Sequence, residues 1–286
     1  MRDRPRLIAL DLDGTALDRD HRTVLPETLK VLQTFAENGG LVVPCTGRGA
    51  ALVPKELLPY RYSITCNGAV IREEDQVLYT NPLDRQQLLQ GLDILREYDV
   101  LIELFTVDGI VMERRVLESL DEYAERIPEF HMPFLRSGKV CPVDALDQVD
   151  APVMKINLPK RALEPYPELA DRIRELGIFA VESDGFNLEL MNPPCDKGLG
   201  LSLLAEHLGI PMNNVIAFGD GWNDISMLRR VGCSVAMGNA REEVKAAAMF
   251  IAESNEQEGI AKFLQYTFPA IFQPPEKQSG CPASPA

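Results

Sequence analysis

Both ends of this 286-residue chain alternate short apolar runs with segments of helical periodicity, and this rhythm restricts the fold more than any other feature. Residues 6–11 (RLIALD) and 41–45 (LVVPC) predict buried strands, and residues 26–38 between them predict a helix. Strands joined through helices are typical of β-α-β units, in which the strands lie parallel. A second group near the other end has candidate strands at 215–220, 233–238 and 249–254. We therefore expect an α/β fold in which both ends build one parallel sheet.

The middle of the chain, from about residue 84 to residue 184, has a different pattern. It begins with a predicted helix and continues with two strands around Asp108-Gly109, a pair that is typical of a hairpin turn. Further strands and another helix follow, so the segment is large enough to be a small domain inserted in the fold. We expect residues 1–83 and 185–272 to form the core, and residues 273–286, which are rich in proline and serine, to be a disordered tail.

The composition excludes some classes of function. The formal net charge of −14 provides no positive field that would hold nucleic acid or an anionic membrane. A small anionic substrate remains compatible with this charge, because a bound metal and a few local cations can dominate the electrostatic field inside a cleft.

The six cysteines form no C-x-x-C pair of the zinc-site type. We see neither a signal-peptide pattern nor an apolar run of about 18 residues, and we expect a cytoplasmic protein with reduced thiols.

Two aspartates, Asp11 and Asp13, directly follow the first predicted strand in the segment DLDGT. In open α/β sheets ligands bind at the carboxyl ends of the strands, where this segment would lie. Both side chains can point the same way along an extended backbone, and two facing carboxylates repel unless a cation binds or one holds a proton. The segment therefore predicts a cation or phosphate site, although an aspartate-rich turn that caps a helix is the alternative.

A second acidic segment, GDGWND, follows the predicted strand at 215–220. If a helix begins near Asn223, then Asp220, Asn223 and Asp224 converge on one side of it. Oxygen ligands without histidine or cysteine favour Mg²⁺ over zinc or copper. The alternative is that Asp220 and Asn223 only cap the helix.

Two shorter motifs could bind phosphate. Thr46-Gly47-Arg48 follows the second strand, and Lys197 precedes a helical run in the segment DKG. A hydroxyl and backbone N–H groups at a strand end can bind phosphate oxygens, and a lysine can neutralise their charge. Each motif taken alone is equally compatible with a turn or with a solvated lysine.

The four motifs occur in the order DLDGT, TGR, DKG and GDGWND, and in this order the chain resembles the haloacid dehalogenase superfamily over nearly its whole length. The insert after the third strand, the CNGA segment at Cys66–Ala69 and the AMGNA segment at Ala236–Ala240 resemble the Cof-type phosphatases. The resemblance implies a Rossmann-like parallel-sheet core with an inserted α+β cap domain. It also implies a phosphatase that acts on a small phosphorylated metabolite.

By resemblance, Asp11 is the nucleophile that forms an aspartyl-phosphate. Asp13 is the general acid and base, and the neighbouring carboxylates would favour the proton that it must hold at first. The implied catalytic residues also include Thr46 and Lys197, which hold the phosphoryl oxygens. The implied Mg²⁺ ligands are Asp11, Asp13 through its backbone carbonyl, Asp220 and Asp224. The implied substrate-binding residues are Thr46, Gly47, Arg48, Asn67 and Asn223.

Several alternatives stay open from the sequence. A phosphomutase would use the same core, but the stretch between Asp13 and Pro26 is too short for the smaller helical cap that is usual there. A sugar-phosphate sensor without activity could use the same scaffold, because a fold alone does not establish turnover. Dehalogenases of the superfamily lack an aspartate at the position of Asp13. The sequence predicts neither the substrate nor the oligomeric state.

Overall fold

The computed structural model describes residues 5–54, 60–129, 131–159, 166–183 and 187–272. In chain order its strands are β1 (Leu7–Leu10), β2 (Leu41–Pro44), β3 (Tyr62–Thr65), β4 (Val70–Glu73), β5 (Gln76–Thr80), β6 (Glu103–Thr106), β7 (Ile110–Glu113), β8 (Cys141–Val143), β9 (Val153–Pro159), β10 (Phe179–Ser183), β11 (Asn187–Met191), β12 (Val215–Gly219), β13 (Cys233–Ala236) and β14 (Phe250–Ile251). Its α-helices are α1 (Pro26–Glu37), α2 (Arg85–Leu95), α3 (Arg114–Glu118), α4 (Met132–Leu135), α5 (Leu169–Arg174), α6 (Lys197–His207), α7 (Ile225–Leu228), α8 (Glu242–Ala247), α9 (Gly259–Thr267) and α10 (Pro269–Phe272).

The core is a parallel sheet built from both ends of the chain, which confirms the predicted α/β fold. Its strand order is β14-β13-β12-β1-β2, and every neighbouring pair in it is parallel. The interior strand β1 is fully buried, because helices cover both faces of the sheet. Ile8 and Leu10 pack with α1 and α9, whereas Leu7 and Ala9 pack with α6 and α7. Strands covered on both faces read as continuous apolar runs, which is why the sequence reveals them.

A small antiparallel sheet, β3-β4-β5, extends the core beyond β2. The two sheets meet where Cys45 forms a parallel bridge with Ile64. The connection after β3 carries Asn67 in a left-handed conformation with φ 53°, and it brings this residue to the carboxyl end of the parallel sheet.

The inserted cap is an α+β unit around a six-stranded sheet in the order β10-β11-β9-β6-β7-β8. One face packs on α2 and α5 through apolar residues such as Ile156 and Leu158 of β9. Alternate residues of the same strand, Lys155 and Asn157, are buried on the opposite face. That polar face lies towards the carboxyl ends of the core strands, where it lines a shared cavity.

The predicted boundary between residues 184 and 185 is wrong, because β11 pairs with β9 and β10 and so belongs to the insert. The apolar pattern of β11 identifies a strand but carries no information about which sheet it joins. The chain therefore returns to the core between Met191 and Lys197. The predicted tail at 273–286 lies outside the described residues. In the described part of the chain, no helix is long and apolar enough to cross a membrane.

Candidate active site

The site begins where β1 ends. Asp11 is buried at 3% exposure, and its backbone N–H donates to the carbonyl of Phe218 on β12 at 3.1 Å. The chain then turns tightly through Gly14, which has φ +72°. A Cβ at this position would lie 2.2 Å from Oδ2 of Asp220, so glycine is required both by the conformation and by the close approach. The turn thus lets a carboxylate from the end of β12 approach the end of β1.

Three carboxylates meet there. Oxygens of Asp11, Asp220 and Asp224 lie within 4.8 Å of one another. Asp220 also accepts a hydrogen bond from the hydroxyl of Thr15 at 2.7 Å. Burial and the charge of Asp224 raise the pKa of Asp220 to about 7. Repulsion of this kind is relieved by a cation, and a set of carboxylate oxygens suits a hard divalent ion.

Lys197 is the positive group beside these carboxylates. Its Nζ, buried with the rest of the side chain, donates to Oδ1 of Asp11 at 2.5 Å and to Oδ1 of Asp224 at 2.7 Å. Burial alone would lower the pKa of Lys197, but the two aspartates outweigh it and raise the pKa well above its usual value. The ammonium group is therefore charged and fixed next to Asp11. Lys197 begins α6, and Asp196 caps this helix by accepting the N–H of Leu199 at 2.7 Å.

Asp13 has a different environment from the one that the sequence predicts. Its carboxylate accepts hydrogen bonds from Nε of Arg48 at 2.7 Å and from Nη2 of the same residue, and Nδ1 of His21 lies 2.7 Å away. Burial alone would raise the pKa of Asp13, but the contacts of His21 and Arg48 lower it well below its usual value. The expectation that neighbouring carboxylates keep Asp13 protonated is therefore wrong for this arrangement. The DLDGT segment alone could not reveal that the side chains of Arg48 and His21 meet this carboxylate.

The predicted convergence of Asp220, Asn223 and Asp224 is only partly right. Asp224 accepts the backbone N–H groups of Asp220 and Gly221 at 3.0 and 2.9 Å, and so orders the loop that holds Asp220. Asn223 instead donates from Nδ2 to Oδ1 of Asn67 at 3.1 Å. The reason is that Trp222–Asp224 form a 3-10 turn and α7 begins only at Ile225, so that Asp220 lies outside the helix and the three residues do not share one α-helical face.

The other predicted substrate ligands line the same region. Thr46 is buried in the cavity wall, and its Oγ1 accepts the N–H of Arg48 at 3.1 Å. Gly47 presents its carbonyl to Nζ of Lys155 at 2.6 Å. The Arg48 guanidinium contacts Asp13 and the carbonyls of Leu52 and His21, so its position is that of a partner of Asp13. Its role as a direct phosphate ligand stays a prediction.

The sequence reasoning missed the polar wall that the cap contributes. Lys155 pairs with Glu189, which also accepts from Nδ2 of Asn67 in the core. Glu103 accepts from Nδ2 of Asn157 at 2.9 Å and lies 2.9 Å from Nε2 of His131. These cap side chains and Asp11 line one cavity of about 540 Å³. A signal for them exists in β9, where a lysine and an asparagine alternate with apolar residues in a strand that is buried throughout.

The buried pair of Glu103 and His131 should make stability depend on pH. Burial alone raises the pKa of Glu103, but His131 and Asn157 lower it below the usual 4.5. Burial alone lowers the pKa of His131, but Glu103 raises it above the usual 6.5, against the opposing charges of Arg48 and Lys155. Glu103 contributes stability above pH 4.5 and loses it as the pH falls through its lowered pKa, whereas His131 contributes below pH 6.5 and loses it as the pH rises through its raised pKa.

We therefore expect the pair to stabilise the fold most between pH 4.5 and 6.5. Replacing His131 by phenylalanine leaves a buried carboxylate without its cation, and should cost about 3–5 kcal/mol of unfolding free energy within that window. Urea unfolding of both proteins across the pH range measures this difference. A difference that stays constant from pH 5.5 up to strongly alkaline pH would contradict the assignment.

Comparisons with known proteins identify the family of this chain. The sequence matches the haloacid dehalogenase-like hydrolases over residues 8–264, and the chain belongs to this family. Two relatives are the pyridoxal phosphate phosphatase YbhA of Escherichia coli (strain K12), 32% identical over 91% of this chain and 97% of the relative, and the HMP-PP phosphatase of Serratia proteamaculans (strain 568), 32% identical over 91% and 94%. A haloacid dehalogenase-like hydrolase from Bacteroides thetaiotaomicron superposes with a TM-score of 0.78 at 29% identity, covering 93% of this chain and 100% of that structure.

The predicted resemblance to the Cof-type phosphatases of this superfamily is thereby confirmed. The chain is an enzyme of the phosphoric monoester hydrolase class.

Proposed function

We propose that this protein is a Mg²⁺-dependent phosphatase that hydrolyses a small phosphorylated metabolite through an aspartyl-phosphate on Asp11. The observation that carries the proposal is the position of Asp11, which lies at the end of β1 in contact with Lys197 and beside Asp220 and Asp224. This carboxylate is oriented by a buried cation and lines a cavity of about 540 Å³, which is the size of a small-molecule site.

The residues divide the reaction into two displacements. Asp13, which is ionised beside Arg48 and His21, first takes up a proton from solvent. In the first displacement, a carboxylate oxygen of Asp11 attacks phosphorus, and the leaving alcohol takes that proton from Asp13 as its bond to phosphorus breaks. In the second, water attacks the same phosphorus, Asp13 accepts its proton, and the bond to Asp11 breaks to release phosphate. Lys197 and the hydroxyl of Thr46 stabilise the negative charge that develops on the phosphoryl oxygens.

The donor set fits a bound Mg²⁺ ion. The carboxylates of Asp11, Asp220 and Asp224 offer oxygen ligands close together, and the raised pKa of Asp220 reflects a site crowded with negative charge. The side chain of Asp13 is engaged with Arg48, so its part in the metal site is assigned to its backbone carbonyl. When bound, the ion would act as a Lewis acid that reduces the repulsion between the phosphate and the carboxylates.

The cap is proposed to act as a lid over the phosphate site. Lys155 of the cap donates to the carbonyl of Gly47 in the core at 2.6 Å, and Glu189 of the cap accepts from Asn67. Segments near Pro82 and Pro193 would be the hinges, since both crossings of the chain lie there. A closed lid excludes bulk water and large substrates, and supplies contacts that the core cannot. Nucleic acids and membranes are not proposed as partners, and cytoplasmic location stays a prediction.

The test is hydrolysis of para-nitrophenyl phosphate and of a panel of phosphorylated metabolites by the purified full chain. We expect phosphate release that requires Mg²⁺, stops when a chelator is added and resumes when excess Mg²⁺ is restored. Ca²⁺, which accepts more ligands at longer distances, should inhibit because it disturbs the approach of Asp11 to phosphorus. Full activity after chelation would exclude the metal site, and binding without hydrolysis would identify a sensor instead of an enzyme.

A further inference from the structure

The amide of Asn157 on the cap strand β9 is only half satisfied. The residue is 4% exposed and lines the same cavity as Asp11. Its Nδ2 donates to Oε2 of Glu103 at 2.9 Å. Its Oδ1, also buried, has no hydrogen-bond partner among the described residues. A buried acceptor without a partner is rare in folded proteins, and such an atom on a residue that lines a cavity points to a ligand that provides the missing donor.

The orientation of this amide is set by its neighbours. Glu103 is fully buried and lies 2.9 Å from Nε2 of His131, which holds the carboxylate in place. If the amide turned over, its oxygen would face the Glu103 carboxylate, and two acceptors would then be in contact without a proton between them. The atom of the Asn157 amide that is left without a partner is therefore the oxygen.

The other buried charged groups of the cap wall are already paired. Lys155 donates to Glu189 and to the carbonyl of Gly47, and its ammonium group lies 4.3 Å from the centre of the Phe105 ring. Together with the pair of Glu103 and His131, this makes the buried part of the wall a set of ion pairs, whereas Lys139, which also lines the cavity, is exposed. The buried ion pairs then contribute little selection by charge, so a directional hydrogen bond to Oδ1 is the contact in this part of the wall that can discriminate between leaving groups.

We propose that Asn157 is a specificity-determining residue whose Oδ1 accepts a hydrogen bond from an O–H or N–H group on the leaving group of the substrate. The inference rests on the proposed phosphatase function and narrows its substrate class. Phosphate esters whose leaving group carries hydroxyl or amine donors, such as phosphorylated polyols or amino alcohols, are favoured. Esters of purely apolar alcohols are disfavoured, because they leave the buried oxygen unpaired in the complex. Glu103 is a positioning residue that acts through Asn157.

The experiment measures kcat/KM for matched pairs of phosphate esters that differ in one donor. One arm compares sugar phosphates with their deoxy analogues, and the other compares phosphoethanolamine with ethyl phosphate. In whichever of the two comparisons uses the better substrates, we expect the wild-type enzyme to have a kcat/KM for the donor-bearing ester that is roughly 10- to 100-fold higher. Asn157→Leu should reduce this ratio to within about threefold of unity, because the oxygen has been removed. Ser137→Ala is the matched control, since that hydroxyl also lines the cavity but already donates to the carbonyl of Phe134 at 2.6 Å.

A second variant, Glu103→Gln, tests the orientation without leaving a polar atom unpaired. The glutamine oxygen can still face His131, while its NH₂ group can donate to Oδ1 of Asn157 and so turn the Asn157 NH₂ towards the cavity. We expect the preference for donor-bearing esters to be lost or inverted, an outcome that a purely structural role would not produce. This variant decides the question if Asn157→Leu does not fold.

The outcomes separate the two proposals. An unchanged donor preference in both variants, or no preference in the wild-type enzyme for any pair while para-nitrophenyl phosphate is hydrolysed, would overturn the role of Asn157 and leave the phosphatase intact. A wild-type protein that hydrolyses neither para-nitrophenyl phosphate nor any ester of the panel would overturn the proposed function, and this inference with it.

Discussion

Replacing Asp11 by asparagine is expected to abolish turnover while the fold is retained. The amide has nearly the same shape, and its oxygen can still accept the hydrogen bond from Nζ of Lys197. It lacks the negative charge that attacks phosphorus, so no aspartyl-phosphate can form. We expect kcat to fall at least about 1,000-fold, which corresponds to roughly 4 kcal/mol of activation free energy.

Steady-state hydrolysis of para-nitrophenyl phosphate measures this loss. Acid quenching during turnover of a ³²P-labelled substrate should trap label on the wild-type protein but not on the variant. Asp93→Asn is the matched control, because it removes the same charge from an exposed side chain that pairs only with Arg96 among the described contacts. A variant that keeps more than about a tenth of the wild-type kcat, a change of only ~1.4 kcal/mol, would exclude Asp11 as the nucleophile.

The sequence predicts the catalytic edge of the sheet well because the information there is local. The run Leu7–Leu10 is apolar at every position, as a strand covered on both faces must be, and the polar residues that follow it mark the strand end. The same holds for Val215–Gly219 and the acidic loop after it. Parallel strands of one sheet place their carboxyl ends at one edge, so the order of the motifs along the chain is enough to bring Asp11, Asp220 and Asp224 together.

Contacts that depend on the meeting of distant segments could not be predicted in this way. The pairing of Asp13 with Arg48 joins residues 35 positions apart, and it inverts the expected effect on the pKa of Asp13. The residue pattern of β11 likewise does not show which sheet the strand joins. For this reason the predicted boundary between cap and core at residue 184 is wrong. The polar cap wall could be predicted in part. Lys155 and Asn157 are polar residues in an otherwise apolar strand, which marks them as unusual, but the sequence does not show which residues they contact.

The contacts of Asp13 lead to the second large effect, which concerns the second displacement, the hydrolysis of the phosphorylated enzyme. Arg48 and His21 hold this carboxylate in its ionised form, which is the form that accepts a proton from the attacking water. In the Asp13→Asn variant, the side-chain amide could accept a hydrogen bond from Arg48 but could not transfer a proton. We therefore expect hydrolysis of the phosphorylated enzyme to slow by about 10²–10⁴-fold.

The leaving group separates this effect from a general loss of function. Para-nitrophenolate leaves without a proton, so Asp13→Asn should still be phosphorylated by the aryl ester and should release about one equivalent of phenolate in a burst before slow turnover. An alkyl phosphate needs the acid in the first displacement as well, so it should give no burst and a larger loss of kcat/KM. Asp20→Asn is the control in the same segment, because that side chain bonds only within its own turn, to residues 22 and 23, among the described contacts. Equal losses on both esters, with no burst on the aryl ester, would mean that Asp13 supports the site through its ion pair and does not transfer the proton.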